Sequence, residues 1–478
     1  MTKNKILFSA FAVAAATTLG LYACKKGINK DVDPKLSAGI LAECGPTPGS
    51  AGDTTITGVI TSDLYLSSAK EIHLSGLVYV ANNATLTIQA GARIEGDPGA
   101  NGQPGGGLVI TRGSKLIADG NPECPIVFTS YRWDSAPQSG DWAGVILLGK
   151  APVNKNNPLI EGIPDNPPAD AHYGGTDCND NSGILRYVRI EYAGYALSPN
   201  NEINGLTLGG VGSGTVLDYI ESYKSNDDAF EWFGGTVNAT HMLAIDPLDD
   251  MFDTDFGFSG HIQFALGISD PLRADFSASN GQESDNDATA STDAPQTTAQ
   301  ISNLTLIGQE TSALAHNTTM APSGTGFYGR AAHFRRNTAF RVANSIYMGW
   351  KWGVSLDGPA TQASLANGLS CFKNNLVHAY DTAFKTEAPA ASPWTPDASN
   401  HGYVTLDPNA DILLNAPFDR SQADFALPQE GSPAFLGTWS GCFTDGCNPF
   451  TFTQVNFIGA FGTENWALGL DFGGWVRY

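Results

Sequence analysis

Positive charge is scarce in this chain. Its 478 residues carry 26 lysines and arginines against 48 aspartates and glutamates, a net charge of −22. That field disfavours nucleic acid as a partner, and it repels polyanionic glycans unless a cation mediates the contact. Long Ala/Leu/Glu/Lys stretches are missing, so helix is a minor component. Several catalytic signatures are absent too. There is no HExxH and no CxxC, which leaves a zinc site without support. No Gly-x-Ser-x-Gly elbow occurs. GGVGSG (209–214) lacks the Lys-Ser/Thr of a phosphate-binding loop and reads as a tight turn. The acid-rich stretches lack the DxDxDG order of an EF-hand.

What is present begins with a membrane address. Lys3 and Lys5 precede an apolar run over residues 6–21, which ends at Leu21-Tyr22-Ala23-Cys24. A short basic segment, an apolar core too brief to span a bilayer and a small residue before cysteine make a bacterial lipoprotein signal. The expectation is that residues 1–23 are removed and that Cys24 carries lipid, anchoring the protein to the outer membrane. Residues 24–53 have the Lys, Asp, Gly, Pro and Ser content of a tether. Six further cysteines remain for an oxidising compartment, and the short interval between Cys442 and Cys447 predicts a disulfide there.

From residue 54 onward, apolar residues alternate in short runs punctuated by Gly, Asn and Asp, which is strand chemistry. The runs repeat. TIQAGARI (87–94) matches VITRGSKL (109–116), with Ile88 over Ile110, and LRYV (185–188) matches LDYI (217–220). Further runs are ISNLTLIG (301–308), VANSIYMG (342–349) and LSCFKNNLVHAY (369–380). A repeat of about 22 residues with short strands reads as a solenoid, whose coils bury their apolar faces only by stacking. The fold expected is all-β: a right-handed parallel β-helix over residues 54–440, with an aromatic-rich cap over the last coil from residues 441–478. Long insertions at 150–182, 273–300 and 385–400 leave it as loops, the second having the composition of a mobile segment.

ECPIVFTS (123–130), GDWAGVILLG (140–149) and LRYVRIEYAGY (185–195) resemble right-handed parallel β-helix proteins of bacterial envelopes. The stretches 214–253 and 457–475 are similar to a narrower group of large, poorly characterised lipoproteins of Bacteroidota. The resemblance implies fold and location. It carries no settled activity. Outward-facing lipoproteins of that phylum often have acids just after the cysteine, whereas Lys25-Lys26-Gly27 follows Cys24 here, so both faces of the outer membrane stay open.

The densest polar constellation lies between Lys224 and Asp255. Asp227, Asp228, Asp249, Asp250 and Asp253 are candidate metal ligands, with Glu231, Asp246 and Asp255 nearby. In a β-helix, carboxylates on successive coils stack about 4.8 Å apart. Like charges that close either take up a cation or raise some pKa values, and calcium, a hard ion with six to eight oxygen ligands, suits them. Turn chemistry uses the same residues, so both readings stand. Glu231, Trp232, His241, Phe256 and His261 form a candidate glycan-binding set, in which rings pack on sugar C–H faces and acids accept hydroxyl hydrogen bonds. If the protein is an enzyme, Lys224, Asp227, Asp228 and Arg273 are the catalytic candidates for a polysaccharide lyase or glycoside hydrolase. His333, Arg335 and Arg336 form a small basic patch that salt-bridges or faces solvent. With no single catalytic pair selected, non-catalytic binding of a glycan or an envelope protein is the leading reading. Cation-assisted cleavage and a structural or adhesive role are the alternatives.

Overall fold

The computed structural model describes residue 44 and residues 49–99, 105–164, 166–198, 201–389, 393–439, 441–447 and 450–478. The signal segment, the lipidation residue Cys24 and most of the tether lie outside them. The expected fold is the one observed. Short strands wind into stacked coils, and each coil contributes to three parallel ladders.

Ladder one starts with Asp53–Ile56, Glu71–Leu74, Arg93–Gly96 and Ile126–Ser130 and ends at His401–Val404. Ladder two runs through Gly107–Ile110, Gly144–Leu148, Leu206–Gly209, Phe230–Phe233, Phe252–Asp255, Gln282–Ser284 and Arg330–Phe334. Ladder three begins with Leu64–Leu66, Thr85–Ile88 and Lys115–Asp119. Further along, single long strands such as Val216–Tyr223 and Asn238–Ile245 turn the corner and serve ladders three and one in turn. Inward positions fill one continuous apolar core that includes Ile72, Ile94, Phe128, Ile190, Phe230, Trp232, Phe252 and Trp350.

The corner between ladders three and one is made by one left-handed residue per coil. Successive coils use Tyr187, Tyr219, His241 and Phe264, then Asn303, Asn344 and Asn374, all with φ between 46° and 57°. Asparagine enters this region readily, whereas bulky side chains are strained there. Stacking offsets the strain. Tyr187 lies on Tyr219 at 4.4 Å, Tyr219 on His241 at 4.1 Å and His241 on Phe264 at 5.2 Å, each stack contributing about 1 kcal/mol.

The C-terminal segment does not plug the last coil, as its aromatic content had suggested. It runs back along this corner as a strap. Phe457 and Gly459 accept hydrogen bonds from Asn303, and Trp466 and Trp475 pack edge-on against the ring stack. Arg420 forms a bidentate pair with Asp246 at 2.8 and 2.6 Å, which removes Asp246 from the acid constellation. Arg477 reaches Glu191 at 2.8 Å, and its N–H donates to Glu221. The strap follows this corner because its rings cover outward aromatics that would otherwise meet water.

The end of the helix is closed instead by Trp394, in the insertion 385–400. It packs edge-on against Phe372 at 5.6 Å and Phe384 at 5.1 Å. Trp394→Ala should therefore lower stability by about 2 kcal/mol and leave the rest of the coil stack intact, as read by chemical denaturation.

The disulfide expectation is overturned. Cys442 bonds Cys371, Cys447 bonds Cys178, and Cys44 bonds Cys124. A short loop is cheap to close, but the strap carries Cys442 and Cys447 past different coils, and each bonds the cysteine it meets there. The insertion 273–300 differs from expectation as well. It contains the ladder-two strand Gln282–Ser284 and is pinned to the insertion 150–182, where Lys155 pairs with Asp287 at 2.8 Å.

Candidate functional site

Ladder two carries one outward column of acids. The pairings Glu231↔Asp253 and Asp253↔Glu283 place these carboxylates on three successive coils. Alternation forces this placement: in Phe230-Glu231-Trp232 the two rings point into the core, so Glu231 points out. A second column stands at the corner before ladder two. Asp228 accepts the N–H of Asp250 at 2.8 Å, Asp250 accepts that of Asn280, and Asn280 accepts that of Arg330 at 3.0 Å. Each side chain thereby satisfies the backbone of the next coil, which fixes the column along the helix axis.

The two columns form a grid. Three triads have ligand atoms within 4.8 Å of one another: Asp227, Asp228 and Asp249; Asp228, Glu231 and Asp253; and Asp250, Asp253 and Glu283. All five expected metal ligands are thus brought together, and acidic groups so placed could hold a metal ion. Glu231 belongs with them rather than with a sugar platform. Asp255 and Asp285 continue the grid on its far side, where burial and then Asp285 raise the pKa of Asp255, and burial and Glu283 raise that of Asp285.

Two insertions flank the grid. Glu161, from the insertion 150–182, adds its charge beside Glu231, and Ser277 donates to Asp249 at 2.9 Å from the other insertion. Burial and mutual repulsion push Asp228, Glu231, Asp250 and Asp253 well above the usual carboxylate range. Burial, with Asp275 and Glu283 nearby, raises Asp249 to about 7. Burial and Asp285 raise Asp255 to about 8. Glu283 goes the other way. Burial opposes its charge, but a hydrogen bond from His333 and the charges of Arg335 and Arg336 hold it below the ordinary value. His333, Arg335 and Arg336 thus form the salt-bridged edge of the grid, with Arg335 on Glu283 and Asp285 and Arg336 on Asp285 at 2.6 Å.

The donor set fits a hard cation. One oxygen of Asp249, one of Asp253 and the amide oxygen of Asn204 are buried with no hydrogen-bond partner. Asn204 is 1% exposed and holds Glu231 through its amide nitrogen. Unpartnered buried oxygens beside clustered carboxylates are the atoms a bound calcium would satisfy.

Other expected site residues fall elsewhere. Trp232 is 0% exposed, packed among Phe230, Phe252 and Phe258 in the core, and cannot face a sugar. His241 belongs to the corner stack, bonded to Asp218 at 2.8 Å and covered by Trp466. His261 is buried under Phe450 and Phe452, and burial depresses its pKa to about 4. Both histidines sit on the strap side, so neither is placed to act as a base at the grid. Phe256 stays at the grid's edge. It packs on Phe233 at 5.4 Å and donates its N–H to Asp255 at 2.6 Å. Lys224 lies over the Tyr223 ring at 5.2 Å. Arg273 donates to Ser139 at 3.0 Å, next to Gly140, whose missing Cβ would meet Asn226. Arg273 therefore reaches the turn packed beside Asn226, the sequence neighbour of Asp227.

The sequence reading missed Glu283, Asp285 and Asn204. For the first two the signal was present: Phe230-Glu231-Trp232-Phe233, Phe252-Asp253-Thr254-Asp255 and Gln282-Glu283-Ser284-Asp285 share one phase, with acids at the same outward positions.

Residues 58–403 match the model of a family described as a pectate-lyase like beta helix domain. No curated protein matches the chain.

Proposed function

The chain belongs to the family of pectate-lyase-like β-helix domains, and from that premise we propose that it is a calcium-dependent glycan-binding protein of the cell envelope. The observation that carries this reading is the grid: desolvated carboxylates from successive coils converge beside buried oxygens that lack partners. Asp228 and Asp253, shared between triads, would hold calcium, with Asp227, Asp249, Asp250, Glu231 and the Asn204 carbonyl completing its shell. Bound calcium supplies positive charge and open coordination positions for sugar hydroxyls or carboxylates. This answers the repulsion that the net charge of −22 imposes on acidic glycans. The residues' own part is to fix those positions. The hydrogen bonds of Asp228 and Asp250 to the next coil's backbone hold the carboxylates in place before any ligand arrives.

Catalysis is the second reading, favoured by the family and by Arg273, which reaches the turn beside Asn226. It ranks lower because Arg335 and Arg336, the cations that touch the grid, are already paired with its acids. A lyase needs a base with no such commitment. A glycan array probed with and without calcium separates the two. Binding that needs calcium and is lost in Asp228→Asn and Asp253→Asn is the expected result. No glycan retained, or retention unchanged by chelator, would remove the binding proposal. Turnover to an unsaturated sugar, abolished in Arg273→Ala, would promote the lyase.

We also propose that Cys24 anchors the protein by lipid to the outer membrane, so that the grid faces envelope glycans or an envelope protein. Radiolabelled palmitate should enter the wild-type chain and not Cys24→Ala, which should leave the membrane fraction. A membrane-bound, unlabelled wild type would contradict this.

A further inference from the structure

The corner column that carries Asp228 and Asp250 changes sign as it continues. Beyond Asn280 come Arg330, Trp352 and Thr382, paired across successive coils. Three cations gather on the Trp352 indole. Lys385 Nζ lies 3.4 Å from its ring centre, Lys351 Nζ 4.5 Å and Arg330 Cζ 5.1 Å. A chain so poor in lysine and arginine places three of them on one ring.

The local backbone makes this possible. The strand Ile346–Leu356 shifts register on either side of Trp350. Such an irregularity re-aims side chains, and here Lys351 and the adjacent Trp352 are both left partly exposed. Glu387 is the acid bonded within the cluster, and Asp357 lies near enough to feel the charge of Arg330. Glu387 accepts from Arg330 at 2.9 and 2.7 Å and pairs with Lys385 at 3.0 Å. Among the described residues no acid pairs with Lys351. Arg330 and Lys385 are largely buried, at 16% and 24% side-chain exposure. Three like charges held together by a ring quadrupole, against Glu387 between them and Asp357 nearby, leave a net positive site.

We propose that Arg330, Lys351 and Lys385, scaffolded by Trp352, form an oxyanion-binding subsite for the sulfate ester or carboxylate of an acidic saccharide. The Lys351 ammonium supplies the uncommitted donors, and Lys385 and Arg330 add charge. Both faces of the ring are not required, because the indole's task is to hold the ammonium groups rather than to stack on sugar. From Asp250 to Trp352 the column rises three coils, about 14 Å. One oligosaccharide could therefore reach both the grid and this subsite. The subsite does not depend on calcium at the grid.

The test uses the full chain in chloride buffer with chelator. Sodium sulfate, glucose 6-sulfate and glucuronate are titrated separately, followed by calorimetry and by tryptophan fluorescence. Saturable binding of at least one sugar anion is expected, weakened about tenfold in Lys351→Met and in Lys385→Met, as befits loss of a charge-assisted contact. Trp352→Phe should lose the fluorescence change, and binding that persists with chelator present separates this site from the grid. Whichever of the sulfated sugar and the uronate binds tighter identifies the group. No saturable binding of any anion, or unchanged affinity in Lys351→Met, would overturn the subsite. Inorganic sulfate bound as tightly as either sugar would overturn its assignment to a saccharide.

Discussion

In chelator the protein should be less stable at pH 8 than at pH 5.5, and saturating calcium should abolish most of that difference. The sign follows from the grid. A carboxyl whose folded pKa lies above its unfolded value keeps a proton in the native state that the unfolded chain has already released. Stability contributed this way is complete below the unfolded value and falls as pH rises toward the folded one. Here the window opens near the ordinary values of 3.8 for Asp and 4.5 for Glu. It extends to about 7 for Asp249 and about 8 for Asp255, with Asp228, Glu231, Asp250 and Asp253 also raised by burial and by one another. Between pH 5.5 and pH 8 the loss should be on the order of 5 kcal/mol. Calcium reverses it because it binds only the folded grid. A hundredfold excess over Kd adds about 3 kcal/mol. Thermal unfolding at both pH values, with and without calcium, measures the effect. A chelated protein that is more stable at pH 8 would show that the carboxylates are compensated by other groups.

The second large effect concerns the strap. Ending the chain after Gly474 should lower stability by about 5 kcal/mol. It removes Trp475 and Val476, both buried, and Tyr478, whose hydroxyl donates to Ala467 at 2.6 Å. It also removes Arg477, whose N–H groups meet Glu191 and Glu221 and whose guanidinium lies over Tyr192 and Tyr223 at 5.3 and 5.0 Å. Glu221 is 0% exposed, and burial raises its pKa to about 8. Its acceptor atoms would lose the Arg477 N–H. Arg477→Ala keeps the apolar anchors and that N–H, so it should lose only about 2 kcal/mol, Arg189 still bonding Glu191 at 3.0 Å. Urea denaturation of the two variants separates them. Equal losses would mean that the terminal side chains contribute nothing beyond the ion pair.

The coil stack was legible because burial on one side of a strand imposes a period of two, and stacking imposes a longer one. LRYV and LDYI are true neighbours, with Leu185 opposite Leu217 and Val188 opposite Ile220. The match of Ile88 with Ile110 was false: Ile88 pairs with Ala118, and Ile110 with Val80. All three corners use similar residues, here Gly91 and Gly113 with φ of 78° and 88°, so a local alignment can slip by one ladder. The grid was half legible. Acids near in sequence were found, whereas Glu283 and Asp285 come from the next coil, beyond a long excursion. Trp232 was misplaced because an aromatic beside an acid looks like a sugar platform until strand alternation is applied to it. The partners of Cys442 and Cys447 depend on where the strap crosses each coil, and local spacing carries no record of that path.

The most direct test of the grid is calorimetric titration of calcium into the full chain at pH 7, repeated in buffers of different ionisation enthalpy. Carboxyls protonated by burial must release their protons as the cation enters. Saturable binding with net proton release, lost in the Asp228→Asn, Asp253→Asn double variant, is the predicted result. An absence of calcium binding by the folded protein, or binding unaffected in that variant, would contradict the account.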